Sequence, residues 1–304
     1  MNMNRAKELF RNGQTLEAMN HIVRSCFEER SALPRKVWRD DVAASARDPE
    51  ILNYVHRCRM TRRAFEKPRG YGCDAVTLDL VYGTGEGRNA PHPATQAGQV
   101  YSYTVNSPAP RAVRFRRQTL ARLIDETVAR TGDGRAQIVS IACGHAREVE
   151  LSRAMQARRA GGFLAIDQDV ESIAVVESEY GPFGVEARHG TVRQIVGDLL
   201  PLPPADLIYA AGLYEYLNDS TAIELLQRMV DALKPGGRVM IANFVPDVPD
   251  AGYMEAFMDC WLEYRDLTQL VSLFDPIPAS SRGPIETLFD PDCNIAFAVM
   301  QKPE

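Results

Sequence analysis

The chain has 304 residues, 45% of them hydrophobic and 25% charged, with a formal net charge of -5 at pH 7. That length can bury one sizeable core plus a smaller appended unit. The acidic balance gives no general attraction to nucleic acid or to an anionic lipid surface, and no uncharged stretch reaches the roughly 18 residues of a membrane-spanning helix.

The first hundred or so residues read as helices and loops. Met19, Ile22, Val23, Cys26 and Phe27 recur at helical spacing and form one apolar stripe. Asp48-Pro49-Glu50 reads as an N-cap followed by proline in the first turn, opening a second helix that runs to about Arg62. KPRGYGCDAVTLDLVYGTGEG places glycine-rich turns around an apolar segment, and GRNAPHPATQAGQ reads as a loop. A third helix, Ala112 to about Ala129, follows a basic start (Arg111, Arg114, Arg116, Arg117).

From Ala136 the pattern changes. QIVSIACG, GFLAIDQD, ADLIYAAG and RVMIANF are short apolar runs, and helical patterns lie between them, among them REVELSRAMQARRA and TAIELLQRMVDALKPGG. Strands alternating with helices of about 12–15 residues predict βαβ units and a parallel, Rossmann-like sheet. A helix around Met254–Ser272 follows, and then IETLFD and NIAFAVMQ, which suggest an antiparallel C-terminal hairpin. The fold class is therefore α/β, with a helical N-terminal cap over residues 1–130 and the Rossmann-like domain over 131–304. The six scattered cysteines contain no CxxC pair and fit reduced thiols in a cytoplasm. MNMNRAKELF lacks the apolar run of a secretory signal, and the dispersed histidines suggest no metal cluster.

In an open α/β sheet, ligands bind beyond the carboxyl ends of the strands. After the first strand, Ser140-Ile141-Ala142-Cys143-Gly144-His145-Ala146 puts small residues at alternate positions, where a ligand can approach the backbone. Asp167 ends the second strand, where a carboxylate can accept both ribose hydroxyls of an adenosine ligand. Asp169 then caps the following helix. Ala210, Ala211 and Gly212 end the next apolar run, followed by Tyr214 and Tyr216. Together these predict a nucleoside site.

At SIACGHA, AIDQD, PADLIYAAG and LKPGGRVMIANF the chain resembles the class I S-adenosylmethionine-dependent methyltransferases, over about Ala136–Lys302. Ser140 stands where the family commonly has an acid, and Ala142 and Ala146 stand where it has loop glycines. The resemblance implies S-adenosyl-L-methionine as cofactor. It places Asp167 and Gln168 at the ribose, and Gly190, Thr191 and Val192 beside the adenine. Ala210 and Gly212 fall at the methionine part with Tyr214 close by, and Glu148 or Glu150 supplies the missing acid.

RGYGCDAVTLDLVYG, SPAPRAVRFR and ANFVPDVPDAGYMEAFMDCWLEYRD resemble a capped bacterial subgroup. That subgroup is similar to methionine S-methyltransferases, azetidine-2-carboxylate synthases and enzymes that esterify hydroxy fatty acids. A substrate region with Arg69, Tyr71, Asp74, Tyr216, Asn243, Tyr264 and Arg265 would suit a zwitterion and a sulfonium. The expected reaction is methyl transfer to a small molecule, with the thioether of methionine as acceptor. The alternatives are cyclisation of the cofactor, methylation of a fatty-acid carboxyl, and cofactor binding without turnover. No catalytic residue, metal ligand or oligomeric state is read from the sequence.

Overall fold

A computed structural model describes residues 3–132 and 134–304. It divides into two compact units: the residues up to Arg114 together with Asp247–Trp261, and Phe115–Pro246 together with Leu262–Glu304.

The first unit is helical. Its longest wholly internal helix, Thr15–Ala32, buries Met19, Ile22 and Cys26, as the apolar stripe predicts. Asp48 caps the helix Pro49–Val55 by accepting from Glu50 N. A separate helix, Arg59–Glu66, then follows, so the expected single helix is two. Phe10 stacks on Tyr54 with ring centroids 4.4 Å apart.

The returning segment Asp247–Trp261 belongs to this unit although it lies within the stretch read as Rossmann-like. Every residue of its helix Ala251–Phe257 is buried. Glu255 accepts from Trp38 Nε1 at 2.6 Å and from Arg30 Nε at 2.9 Å. Asp250 accepts from Ala109 N and from the Ser107 hydroxyl. Gly252 lies so close to the long helix that an added Cβ would sit 2.7 Å from Cys26 O.

The second unit is a seven-stranded sheet of β1 (Gln137–Ile141), β2 (Gly162–Asp167), β3 (Val185–His189), β4 (Ala205–Ala210), β5 (Leu233–Phe244), β6 (Ile285–Phe289) and β7 (Ile295–Gln301). Its order is β3-β2-β1-β4-β5-β7-β6. The first five strands run parallel; β7 pairs antiparallel with both β5 and β6, as the C-terminal hairpin predicts. The order reverses between β1 and β4, so the crevice for a ligand opens at their carboxyl ends.

Alternation along the strands fixes the faces. Val139, Ile141, Leu164, Ile166, Ile208 and Ile241 join one apolar cluster with Leu225, Leu226 and Met229 of the helix Asp219–Asp231. Ser140 and Tyr209, paired across β1 and β4, belong to the other face.

Three local expectations change. REVELSRAMQARRA is a 3₁₀ turn (Arg147–Glu150) and a short helix (Arg153–Gln156), because the Ser152 side chain caps the second piece. The expected helix 254–272 is instead two short ones, Ala251–Phe257 and Leu267–Ser272. Asp259 adopts φ +50° between them, and Asp266 with Gln269 forms a capping box that starts the second helix. LKPGG does not close a helix: Leu233 already pairs with Ala205, and the register slips before Leu207 pairs with Arg238.

The Gly252 contact makes the returning helix testable. Gly252→Ala gains up to about 1 kcal/mol of helix propensity. The Cβ must displace backbone, an overpacking that costs about 1–3 kcal/mol. Urea unfolding of the variant should show a net loss of stability.

Candidate functional site

The loop after β1 has an unusual backbone. Ala142, Gly144 and Ala146 all take positive φ, at +52°, +54° and +47°. These are the alternate positions at which the sequence places small residues, and two of them carry a Cβ that disfavours the left-handed region by about 1–2 kcal/mol each.

Hydrogen bonds hold the loop in this shape. Cys143 N donates to Ile166 O at 3.0 Å, and Ala146 N donates to Cys143 O at 2.9 Å. Gly144 N donates to Asp167 Oδ2 at 2.7 Å, while Asp169 N donates to Asp167 Oδ1 at 2.9 Å. Asp167 is 5% exposed, and burial raises its carboxyl above the usual range although the backbone donors of Asp169, Gly144 and Gln168 pull it down. Asp169 caps the helix Val170–Tyr180 through Glu171 N, as expected.

Ser140, Ala142, Gly144, Asp167, Gly190 and Ala210 are brought to the carboxyl ends of four neighbouring parallel strands. Gln168 is exposed beside Asp167. Gly190 donates its N–H to Asp167 O at 2.9 Å. Thr191 forms a capping box with Gln194 at the start of the short helix Val192–Val196, and Val192 packs against the apolar cluster.

Glu148 is buried on the side of Ser140, where it accepts from Tyr209 OH at 2.6 Å. Burial raises its carboxyl. Glu150 instead ties together Tyr180, Arg147 and Arg117.

Several expected ligand contacts have other work. Tyr214 is wholly buried in the apolar cluster, with its hydroxyl turned to Ala222 O, so it does not line the cofactor end of β4. Asp74 is 1% exposed; it caps the helix Ala75–Tyr82 and accepts from Arg63 through both oxygens, which takes up the charge intended for an ammonium.

Arg265 uses all its N–H donors inside the second unit. Nε and Nη2 reach Asp219 Oδ1, Nη1 reaches Tyr214 O and Asn243 Oδ1, and Nη2 also reaches Leu217 O. Asn243 in turn donates to Phe244 O and Glu263 O. Both residues are structural. Of the remaining expected substrate residues, Arg69 and Tyr71 are half-buried in the first unit, while Tyr264 is half-buried and Tyr216 is 43% exposed in the second.

Sequence reading missed two residues at the carboxyl end of β4. Arg116, from the helix Pro108–Thr131, and Glu215 form a buried ion pair at 3.2 Å. A Cβ on Gly212 would lie 3.2 Å from Arg116 Nη2. The basic start of that helix was the visible signal, but nothing local distinguishes Arg116 from its neighbours.

Comparison with known proteins agrees with this architecture. Residues 170–270 match the model of the O-methyltransferase domain family. Acetylserotonin O-methyltransferase of Mus musculus is 33% identical over 98 residues, which are 30% of this chain and 24% of that protein. The chain thus spans about a quarter of the length of the curated relatives it matches.

Among solved structures, a possible exported protein from Bordetella parapertussis superimposes with a TM-score of 0.60 at 19% identity, over 77% of this chain and 80% of that one. A candidate O-methyltransferase from Nostoc punctiforme gives a TM-score of 0.50 at 16% identity, over 82% and 72%. The chain shares the α/β fold of these two structures, and its own sheet is mostly parallel with antiparallel C-terminal strands.

The saturation of Arg265 gives a direct check. Arg265→Ala strips donors from Asn243 Oδ1 and from the carbonyls of Tyr214 and Leu217, each worth about 1–3 kcal/mol when buried. The urea midpoint should fall by the equivalent of roughly 3 kcal/mol. An arginine reserved for substrate would leave the midpoint in place.

Proposed function

We propose that this protein is an S-adenosylmethionine-dependent methyltransferase acting on an oxygen of a small molecule. The observation that carries the reading is the loop of alternating left-handed residues at the switch point, clasped by a buried carboxylate. Bound there, S-adenosylmethionine supplies an electrophilic methyl group on a sulfonium.

The chain's own groups suit such a ligand. A carboxylate has about four lone-pair directions, and Asp167 spends two of them on Gly144 N and Asp169 N. The others can accept ribose hydroxyls. The small residues Ala142 and Gly144 let a ligand approach the backbone, and Gly190, Thr191 and Val192 follow β3 on the adenine side.

The match of residues 170–270 to an O-methyltransferase domain supports an oxygen acceptor, as does the similarity to an acetylserotonin O-methyltransferase. A fatty-acid carboxyl falls within that chemistry. Methionine thioether as acceptor drew on Asp74 and Arg265 among its expected zwitterion partners, and these two are engaged within the protein. Methyl transfer draws its rate largely from positioning, and a hydroxyl acceptor also needs a proton acceptor in reach.

Mass spectrometry with labelled S-adenosylmethionine and a panel of phenols, hydroxy fatty acids and L-methionine tests the reading. S-adenosylhomocysteine with an O-methylated product supports it. S-methylmethionine replaces the acceptor, methylthioadenosine indicates cyclisation, and no product indicates a binding protein. In calorimetry, Asp167→Ala should weaken S-adenosylmethionine binding by about 1.5–3 kcal/mol, the scale of hydrogen bonds to a charged group. Unchanged affinity in a folded variant removes Asp167 from the ribose.

A further inference from the structure

Arg116 and Glu215 contrast with Arg265. Their side chains are 7% and 4% exposed, and Arg116 Nη1 donates to Glu215 Oε1 at 3.2 Å. That is the only hydrogen bond of the Arg116 side chain among the described residues, the buried Glu148 carboxylate feeling it through charge alone, so most of the guanidinium's donors make no hydrogen bond within the protein. Glu215 Oε2 is buried with no hydrogen-bond partner, the one carboxylate oxygen so placed among the described residues. A pair built only to hold the fold would satisfy that oxygen, because a buried polar atom left unpaired is costly.

The pair also lies where a ligand would end. Glu215 follows β4 by five residues, and the guanidinium stands beside the bare backbone of Gly212. Its backbone is fixed from both sides, since Glu215 O accepts from Glu263 N at 2.8 Å and Arg265 holds the carbonyls of Tyr214 and Leu217.

We propose that Arg116 and Glu215 form a subsite for an α-amino-acid zwitterion, the ammonium donating to Glu215 Oε2 and the carboxylate accepting from Arg116. This rests on the proposed function and deepens it. The zwitterion comes either from the amino-acid end of S-adenosylmethionine or from a free amino acid beside it.

Calorimetry on the full chain separates these sources. S-adenosylhomocysteine carries the zwitterion, and 5′-methylthioadenosine lacks it. Glu215→Gln and Arg116→Gln should weaken S-adenosylhomocysteine about 10–100-fold, the scale of a charge-assisted hydrogen bond, and leave methylthioadenosine within about twofold. Gly212→Ala crowds the guanidinium without touching the buried pair's charges and should give the same selective loss. If cofactor affinities hold but L-methionine no longer binds the S-adenosylhomocysteine complex, the zwitterion is that of a free amino acid. Equal loss for both nucleosides, or no loss for any ligand, overturns the subsite. Wild-type protein that binds neither nucleoside overturns the methyltransferase reading and the subsite with it.

A second observation stands apart from the sheet. In the first unit Cys73 Sγ and Cys260 Sγ lie 3.0 Å apart with no disulfide between them, 187 positions apart in the chain. The residues beside them are pinned: Asp74 by Arg63 and Thr77, and Asp259 by Arg47, Lys67 and Trp261. The geometry points to a redox modification site. With oxidised glutathione, the thiolate of half-buried Cys73 forms a mixed disulfide and releases one glutathione. Cys260 then displaces the second, and both thiol protons end on the two reduced glutathiones.

Peptide mapping of the native protein after oxidised glutathione should show one Cys73–Cys260 crosslink and a mass lower by two hydrogens. The melting temperature should rise, because the link closes a long loop. Cys73→Ser should abolish both effects. A lasting glutathione adduct on Cys73, or pairing with another cysteine, overturns the assignment.

Discussion

The clasp of Asp167 on the loop after β1 is the constraint from which the site follows. Two alanines there hold a conformation that costs each of them about 1–2 kcal/mol, and a backbone in that region persists only where its surroundings over-determine it. The surroundings are the carbonyl of Ile166 and the carboxylate of Asp167, both at the end of β2. The same carboxylate starts the next turn through Asp169 N. One buried side chain thus fixes the carboxyl ends of two strands relative to each other. It does so with the group proposed to meet a ribose.

A second fixed point organises the turn after β4. Arg265 collects Tyr214, Leu217, Asp219 and Asn243, and Glu263 N closes the set on Glu215 O. The effect is division of labour among charged residues. Arg265 has no donor left over, so it can only hold the turn. Arg116 and Glu215, presented by that turn and by the helix behind it, keep unused donors and an unused acceptor. Saturation, more than charge or burial, separates the arginine that builds the site from the one able to serve it.

This distinction explains what could be read from the sequence. The strands other than β3 were legible as short runs bounded by glycine or a turn, whereas β3, VEARH, is largely polar and carries no such run. Asp169 was legible because its cap lies two residues on, while the hold of Asp167 on Gly144 spans 23 residues. Asp74 and Arg265 were not legible. Arg63 lies 11 residues before Asp74, and Asp219 lies 46 residues before Arg265. A charged residue near glycine and tyrosine looks alike in sequence whether its partner is a ligand or an internal ion. The breaks in the helical patterns were carried by the cap at Ser152 and by Asp266 with Gln269, local signals that the hydrophobic period masked. The returning segment joined the first unit because Ala251–Phe257 is apolar on all sides except at Glu255, which finds Trp38 and Arg30 there.

The electrostatics of the strand ends follow from the same arrangement. Burial pushes the carboxyls of Glu148, Asp167 and Glu215 above their usual range. A carboxyl with a raised pKa keeps its proton longer in the fold than in the unfolded chain. Its effect on stability therefore turns unfavourable as pH rises from the unfolded value through the folded one. Near neutral pH all three act in that direction. Tyr209 answers Glu148 with its hydroxyl, and backbone N–H groups answer Asp167; among the described residues Arg116 is the one side chain that hydrogen-bonds Glu215, on one oxygen, with the charge of Arg265 adding a weaker pull. A ligand that donates hydrogen bonds to Asp167 and Glu215 stabilises their ionised forms and lowers both pKa values together. In the proposed complex the ends of β2 and β4 would thereby be coupled: a molecule long enough to reach both carboxylates would recover a desolvation cost that a nucleoside alone would recover only at Asp167.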